Sequence, residues 1–239
     1  MDRVENQHDF REIIYQIDIL DDVKFMKFIV GILLLVVSFN GLAKTCDISE
    51  HIFGNYDQIQ KKDKYPKSNL SETDYFYLVY SWSPGFCDSK RDLTGRYTDG
   101  LKFQCSSSNE FGWVVHGLWA QSYDAESVAE HPRYCKGDLP LVSKEIITKY
   151  LCLSPGAPLL QGEWEKHGSC DFATAGAYFK KMSVLDSKLM LPKIPMSFRK
   201  LYKWMRKNNP SLSRLRMDRI GRELVICYDK NFDPINCPY

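Results

Sequence analysis

Residues 162–170 read Gly-Glu-Trp-Glu-Lys-His-Gly-Ser-Cys and place a carboxylate, an ammonium and an imidazole within five positions. Helical spacing predicts that Glu163, Lys166 and His167, at i, i+3 and i+4, share one face. A base, a cation and an acid so held can move protons around a charged phosphate. A second stretch, residues 111–121 (FGWVVHGLWAQ), carries another imidazole, His116. One His could take a proton from a nucleophile while the other gives one to a leaving group. Each residue alone has a plainer reading. His116 could be a strand-end His satisfied by a backbone carbonyl, and His167 a helix residue beside a glycine cap. Lys166 could be solvated, and Glu163 a helix-start carboxylate favoured by the dipole. The joint pattern favours chemistry: each His precedes a Gly and lies in an aromatic segment.

The elements that must position these groups follow from periodicity. Residues 75–82 (YFYLVYSW) predict a buried central strand, ended by Ser83-Pro84-Gly85. Residues 87–105 read as a polar loop that a Cys87–Cys105 bond would staple. Residues 113–118 predict a second strand with His116 near its end, followed by a loop over 121–140. Residues 143–152 predict a helix with Ile146, Ile147, Tyr150 and Leu151 on one side, stopped by Ser154-Pro155-Gly156. The helix bearing Glu163 follows. Thr174 is a candidate cap for a helix with Tyr178, Met182, Leu185 and Leu189 inside and Pro192 beyond it. Residues 197–207 predict an amphipathic helix whose many Lys and Arg read first as a solvated face and second as a guide for an anionic backbone. Residues 223–228 (ELVICY) predict a late strand. Strands, helices and a final strand give an α+β fold with a mainly antiparallel central sheet.

The chain has 239 residues, a hydrophobic fraction of 44% and a net charge of +2. Its eight cysteines, at 46, 87, 105, 135, 152, 170, 227 and 237, are scattered, with no CxxC pair. That favours disulfides in an oxidising compartment over a zinc site. Residues 28–39 (FIVGILLLVVSF) follow Lys24 and Lys27 and precede Gly41-Leu42-Ala43. This is the pattern of a signal peptide cleaved after Ala43, and the run is short for a membrane span. The acidic, polar residues 1–25 are unlike a signal start, so translation is expected to begin at Met26. The division expected is a leader over 1–43, an irregular arm over 44–73 containing the sequon Asn69-Leu70-Ser71, and a disulfide-stapled domain over 74–239. Residues 44–239 carry 28 basic and 23 acidic side chains, a mild excess compatible with an anionic substrate.

The segments His116-Gly117-Leu118-Trp119 and Glu163-Trp164-Glu165-Lys166-His167-Gly168-Ser169-Cys170 closely resemble the two active-site segments of the ribonuclease T2 family. Residues 81–87 (SWSPGFC) and 223–227 (ELVIC) fit the same pattern, so the resemblance covers about residues 75–237. It implies an enzyme that cleaves single-stranded RNA with broad base preference, without a metal or other cofactor. The implied reaction passes through a 2′,3′-cyclic phosphate to 3′-phosphate ends. The resemblance assigns His167 as base, His116 as acid, Lys166 to the charge on the phosphorane, Glu163 to those oxygens or to a His, and Trp119 to base stacking. Trp119 also reads as a core tryptophan.

The family pattern implies the pairs Cys87–Cys105, Cys135–Cys170 and Cys227–Cys237, leaving Cys46 with Cys152. Two positions depart from it. Gly162 stands where many members carry a His assigned to phosphate binding, so another group must serve there or activity falls. Ala120 stands where a Pro is common. His131 lies apart from both segments and is not promoted. The expectation is a monomeric, periplasmic or secreted endoribonuclease. The rivals are a catalytically inactive relative that binds RNA or protein, a disulfide-rich structural module, and a metallohydrolase, for which no HExxH-like spacing exists.

Overall fold

The structure is a computed structural model that describes residues 46–51 and 53–238. The leader, its cleavage point and the start at Met26 lie outside the described residues. Strands β1 (Tyr75–Trp82), β2 (Trp113–Gln121), β3 (Asp218–Ile220), β4 (Glu223–Asp229) and β5 (Pro234–Ile235) form one antiparallel sheet in the order β2-β1-β4-β3, with β5 on β4. The alternation of β1 sets its two faces. Phe76, Leu78 and Tyr80 enter the main core with Leu224, Ile226 and Tyr228 of β4. Val79, Val225 and Cys227 lie in a smaller cluster, against which Tyr77 and Trp119 pack.

Helices cover the core face. These are α1 (Ser83–Asp88), α2 (Asp99–Cys105), α3 (Lys144–Tyr150), α4 (Ala157–Glu163), α5 (Ala175–Ser187) and α6 (Phe198–Asn208). They contribute Phe103, Ile147, Leu160, Tyr178, Phe179, Met182, Leu185, Leu201 and Met205 to the core. The Ser143 and Thr174 side chains cap α3 and α5 by accepting from the Ile146 and Ala177 amides. α6 buries Leu201 and Met205 while Arg199, Lys200, Lys203 and Lys207 stay exposed, a solvated basic face over an apolar stripe.

Three local expectations change. Ser83-Pro84-Gly85 ends β1 but also starts α1, because a proline at the first helical positions gives up only an amide that has no helical partner. The stretch expected as a polar loop contains α2, whose buried Phe103 joins the core. β2 continues to Gln121, pairing with β1 over its whole length. Four disulfides join Cys46–Cys152, Cys87–Cys105, Cys135–Cys170 and Cys227–Cys237, spanning 106, 18, 35 and 10 positions.

Candidate active site

His116 sits in an irregularity of β2. Val79 of β1 faces Gly117 and Tyr80 faces Val115, so His116 is the extra residue of a β-bulge. The inward positions change phase there, from Trp113 and Val115 to Leu118 and Ala120. Bulges re-aim side chains in this way beside active sites. Glu223, at the head of β4, accepts from His116 Nδ1 at 2.6 Å across the intervening β1. The other ring nitrogen, Nε2, lies 3.3 Å from Glu163 Oε1.

The second segment does not continue as an α-helix. α4 ends at Glu163, a π turn runs through Trp164–Gly168, and a single helical turn, Ser169–Asp171, follows. The i, i+3, i+4 face expected from α-helical spacing is replaced by this wider turn, of the kind that recurs at functional sites. The π turn packs against β2, at the end of the sheet order. Glu163 Oε2 accepts from Trp119 Nε1 at 2.7 Å. The indole of Trp119 stacks on His167 (centroids 5.1 Å, planes 21° apart) and meets His116 edge-on at 5.2 Å.

Both glycines that follow a histidine allow close approach. A Cβ on Gly117 would lie 1.8 Å from Glu163 Oε2 and 2.5 Å from Trp119 Nε1. A Cβ on Gly168 would lie 2.6 Å from the Tyr178 ring. Tyr178 itself donates to the Leu118 carbonyl and accepts from the Leu118 amide, tying α5 to the strand that carries His116.

The two imidazoles are driven apart in acidity. Burial pushes His116 down, but the Glu163 and Glu223 carboxylates outweigh it and raise its pKa to about 10. Burial holds His167 well below 6.5, and Lys166, Arg133 and His116 push the same way. At neutral pH one ring is an imidazolium with a proton to give and the other is free to take one. Glu165, wholly buried between the two key residues of the turn, is raised to about 7 by burial and by Asp138 and Asp57, against its bond from Gln161.

Trp119 therefore touches His116, Glu163 and His167, and Glu163 also reaches His116, whereas Lys166 turns to a partner outside both segments: its Nζ donates to Asp63 Oδ2 at 2.7 Å. Trp119 stacks on His167 and packs against the cluster of Val79, Val225 and Cys227. At Gly162 the departure has a physical counterpart. A Cβ there would lie 3.2 Å from Gln58 Oε1, so the arm occupies space that a larger residue would need. Glu223, Asp63 and Gln58 were not anticipated from the sequence. Only Glu223 left a sign, as a carboxylate on the Val225–Cys227 face of a strand otherwise apolar up to its last residue.

The ribonuclease T2 family profile matches residues 73–237. A protein of Haemophilus influenzae named "Probable ribonuclease" is 46% identical over 190 residues, covering 78% of this chain and 69% of the relative. Ribonuclease I of Escherichia coli is 28% identical over 48% of this chain and 54% of its own length. Extracellular ribonuclease LE of Solanum lycopersicum is 27% identical over 49% and 52%. The chain thus spans about two thirds of the Haemophilus protein and about half of the other two. The solved structure of trichomaglin, described as an S-like ribonuclease, shares the fold at a TM-score of 0.50 and 20% identity, over 70% of this chain and 92% of that one. The chain belongs to the ribonuclease T2 family and is an RNA-cleaving enzyme of that type.

Proposed function

We propose that the protein cleaves single-stranded RNA by transphosphorylation, with broad base preference and without a metal. His167 takes the proton of a ribose 2′-OH, whose oxygen attacks the adjacent phosphorus. The bond from phosphorus to the 5′-oxygen breaks as His116 Nε2 gives that oxygen a proton, leaving a 5′-OH and a 2′,3′-cyclic phosphate. In hydrolysis the roles reverse: His116 activates water and His167 returns its proton to the 2′-oxygen, giving a 3′-phosphate. Glu223 fixes His116 through Nδ1, and Nε2, 3.3 Å from Glu163 Oε1, is the nitrogen that passes its proton to the leaving oxygen. Glu163, bound by the Trp119 indole, orients the same ring. Lys166 offsets charge that grows on the phosphorane oxygens, a contribution on the order of 3 kcal/mol for one well-placed group.

The observation that carries this reading is the opposed shift of two imidazoles that touch one indole ring. Pairs of titratable groups pushed apart in this way mark acid and base assignments. Export to the periplasm or the medium is supported by the four disulfides, and the protein is proposed to act as a monomer. Among the described residues no helix is long and apolar enough to cross a membrane.

The test incubates the oxidised protein with a short RNA in excess EDTA and identifies product ends by mass spectrometry, beside His116→Ala and His167→Ala. Cyclic-phosphate ends are expected, with each substitution lowering the rate by about 10²–10⁴-fold. Cleavage abolished by EDTA, or retained by either variant, would sink the mechanism. No cleavage at any pH would point to an inactive, RNA- or protein-binding relative.

A further inference from the structure

The arm meets the catalytic segment although residues 58–69 lie outside the span that the family profile matches. Asp63 is the centre of the contact. Its Oδ2 accepts from Lys166 Nζ at 2.7 Å, its Oδ1 accepts from the Tyr65 amide at 2.7 Å, and Arg133 Nη2 lies 3.6 Å away. The Asp63 and Arg133 side chains are only 12% and 3% exposed. Arg133 is itself pinned: Nη1 donates to the Val128 carbonyl at 2.7 Å, and the guanidinium faces the Tyr65 ring at 5.3 Å. Asn69 and Arg133 exchange both backbone hydrogen bonds. The neighbouring Tyr134 amide donates to the Lys166 carbonyl, and Cys135 is bonded to Cys170. Burial alone would raise the Asp63 carboxyl, but Lys166, the Tyr65 amide and the Tyr134 hydroxyl hold it below the ordinary range, so it is an anion.

This geometry acts on the one group of the site that is otherwise free to wander. A lysine side chain has large rotamer freedom, and its ammonium has three donors. One donor given to Asp63 fixes the ammonium and leaves two for phosphate oxygens. Lys166 and Arg133 against Asp63 leave one unit of positive charge, which matches a phosphodiester and draws in the second negative charge that develops on the phosphorane.

We propose that Asp63 is a positioning residue that holds the Lys166 ammonium toward the reacting phosphate, making the N-terminal arm part of the active site. The inference rests on the assignment of Lys166 to that phosphate.

The experiment is a cycle of Asp63→Asn, Lys166→Ala and the double variant in the full oxidised chain, with Asp63→Glu alongside. Steady-state kinetics on a short single-stranded RNA and thermal melts are recorded for each. Asp63→Asn is expected to lower kcat by about 10- to 100-fold, the cost of misplacing a catalytic group, with KM nearly unchanged. The double variant is expected to be no slower than Lys166→Ala, because the two residues act through one interaction. Asp63→Glu keeps the charge but displaces it, and should fall between wild type and Asp63→Asn. If Asp63→Asn does not fold, Asp63→Glu replaces it in the cycle. A rise in kcat would overturn the proposal, since Asp63 would then compete with the phosphate. Losses that multiply in the double variant would overturn it as well, leaving Asp63 a purely structural role. Wild-type kcat in Lys166→Ala would instead remove the assignment of Lys166 on which the inference stands.

Discussion

His116 and His167 differ by what surrounds them. Two carboxylates face His116, while a lysine, an arginine and the other imidazole surround His167. The proposed mechanism needs His116 protonated and His167 neutral. Activity is therefore lost as pH rises through about 10 and as pH falls through the lowered value of His167. The kcat/KM profile of the free enzyme should show an acid limb below pH 6.5 and an alkaline limb near 10. Glu223→Gln keeps a hydrogen-bond acceptor and removes one negative charge, so the alkaline limb should move down by about 1–2 pH units. A limb that stays in place would show that Glu223 does not tune His116. The two histidines, Glu163, Lys166 and Trp119 could be proposed from the sequence because each lies in a short motif. Glu223 was not, because it is 107 positions from His116 and a strand-end glutamate is ordinary in a sequence.

Two deformed elements aim these residues. The bulge at His116 lets β2 keep Trp113, Val115, Leu118 and Ala120 in the core while presenting an imidazole between them. The π turn brings Glu163 and His167 to the Trp119 ring. Gly117 lets the two elements meet. Gly117→Ala puts a methyl group where Glu163 and the Trp119 indole nitrogen now lie. It should lower kcat/KM by at least about tenfold and stability by about 1–3 kcal/mol, the usual range for overpacking. Kinetics and thermal melts measure the two effects separately; wild-type values in both would contradict the close approach. Strands β1, β2 and β4 were legible because short aromatic and β-branched runs bounded by turn residues favour a pleated, half-buried surface. The bulge and the π turn were not, since each inserts a single residue into a regular period and is fixed by tertiary packing. α2 was hidden because its apolar residues, Leu101, Phe103 and Cys105, alternate instead of falling at helical spacing.

Across the whole molecule, the arm is the part that composition describes least well. It is polar and irregular, with only the turns Ile48–Glu50 and Gln60–Lys62 among its described residues, yet it is tied to the domain by Cys46–Cys152. A bond spanning 106 positions removes much chain entropy from the unfolded state. Cys46→Ser combined with Cys152→Ser should cost about 2–5 kcal/mol in chemical denaturation. It should also lower kcat, because the arm carries Asp63. A loss of stability with unchanged kcat would separate the tether from the site. The order of the elements, strands then helices then a final strand, made the α+β class legible. The docking of the arm was not, because an ion pair between Asp63 and Lys166 joins two charges that each look solvated in the sequence.

The contacts that make the site join positions far apart in the chain. Trp119 waits for Glu163, 44 positions on, Asp63 for Lys166, 103 positions on, and His116 for Glu223, 107 positions on. Synthesis proceeds from the N-terminus, so a chain still held at its C-terminal end by the ribosome carries both histidines without the carboxylate that sets one of them. Closing such long loops is slow compared with local helix formation. Until β4 is in place, His116 therefore lacks one of its two carboxylate partners.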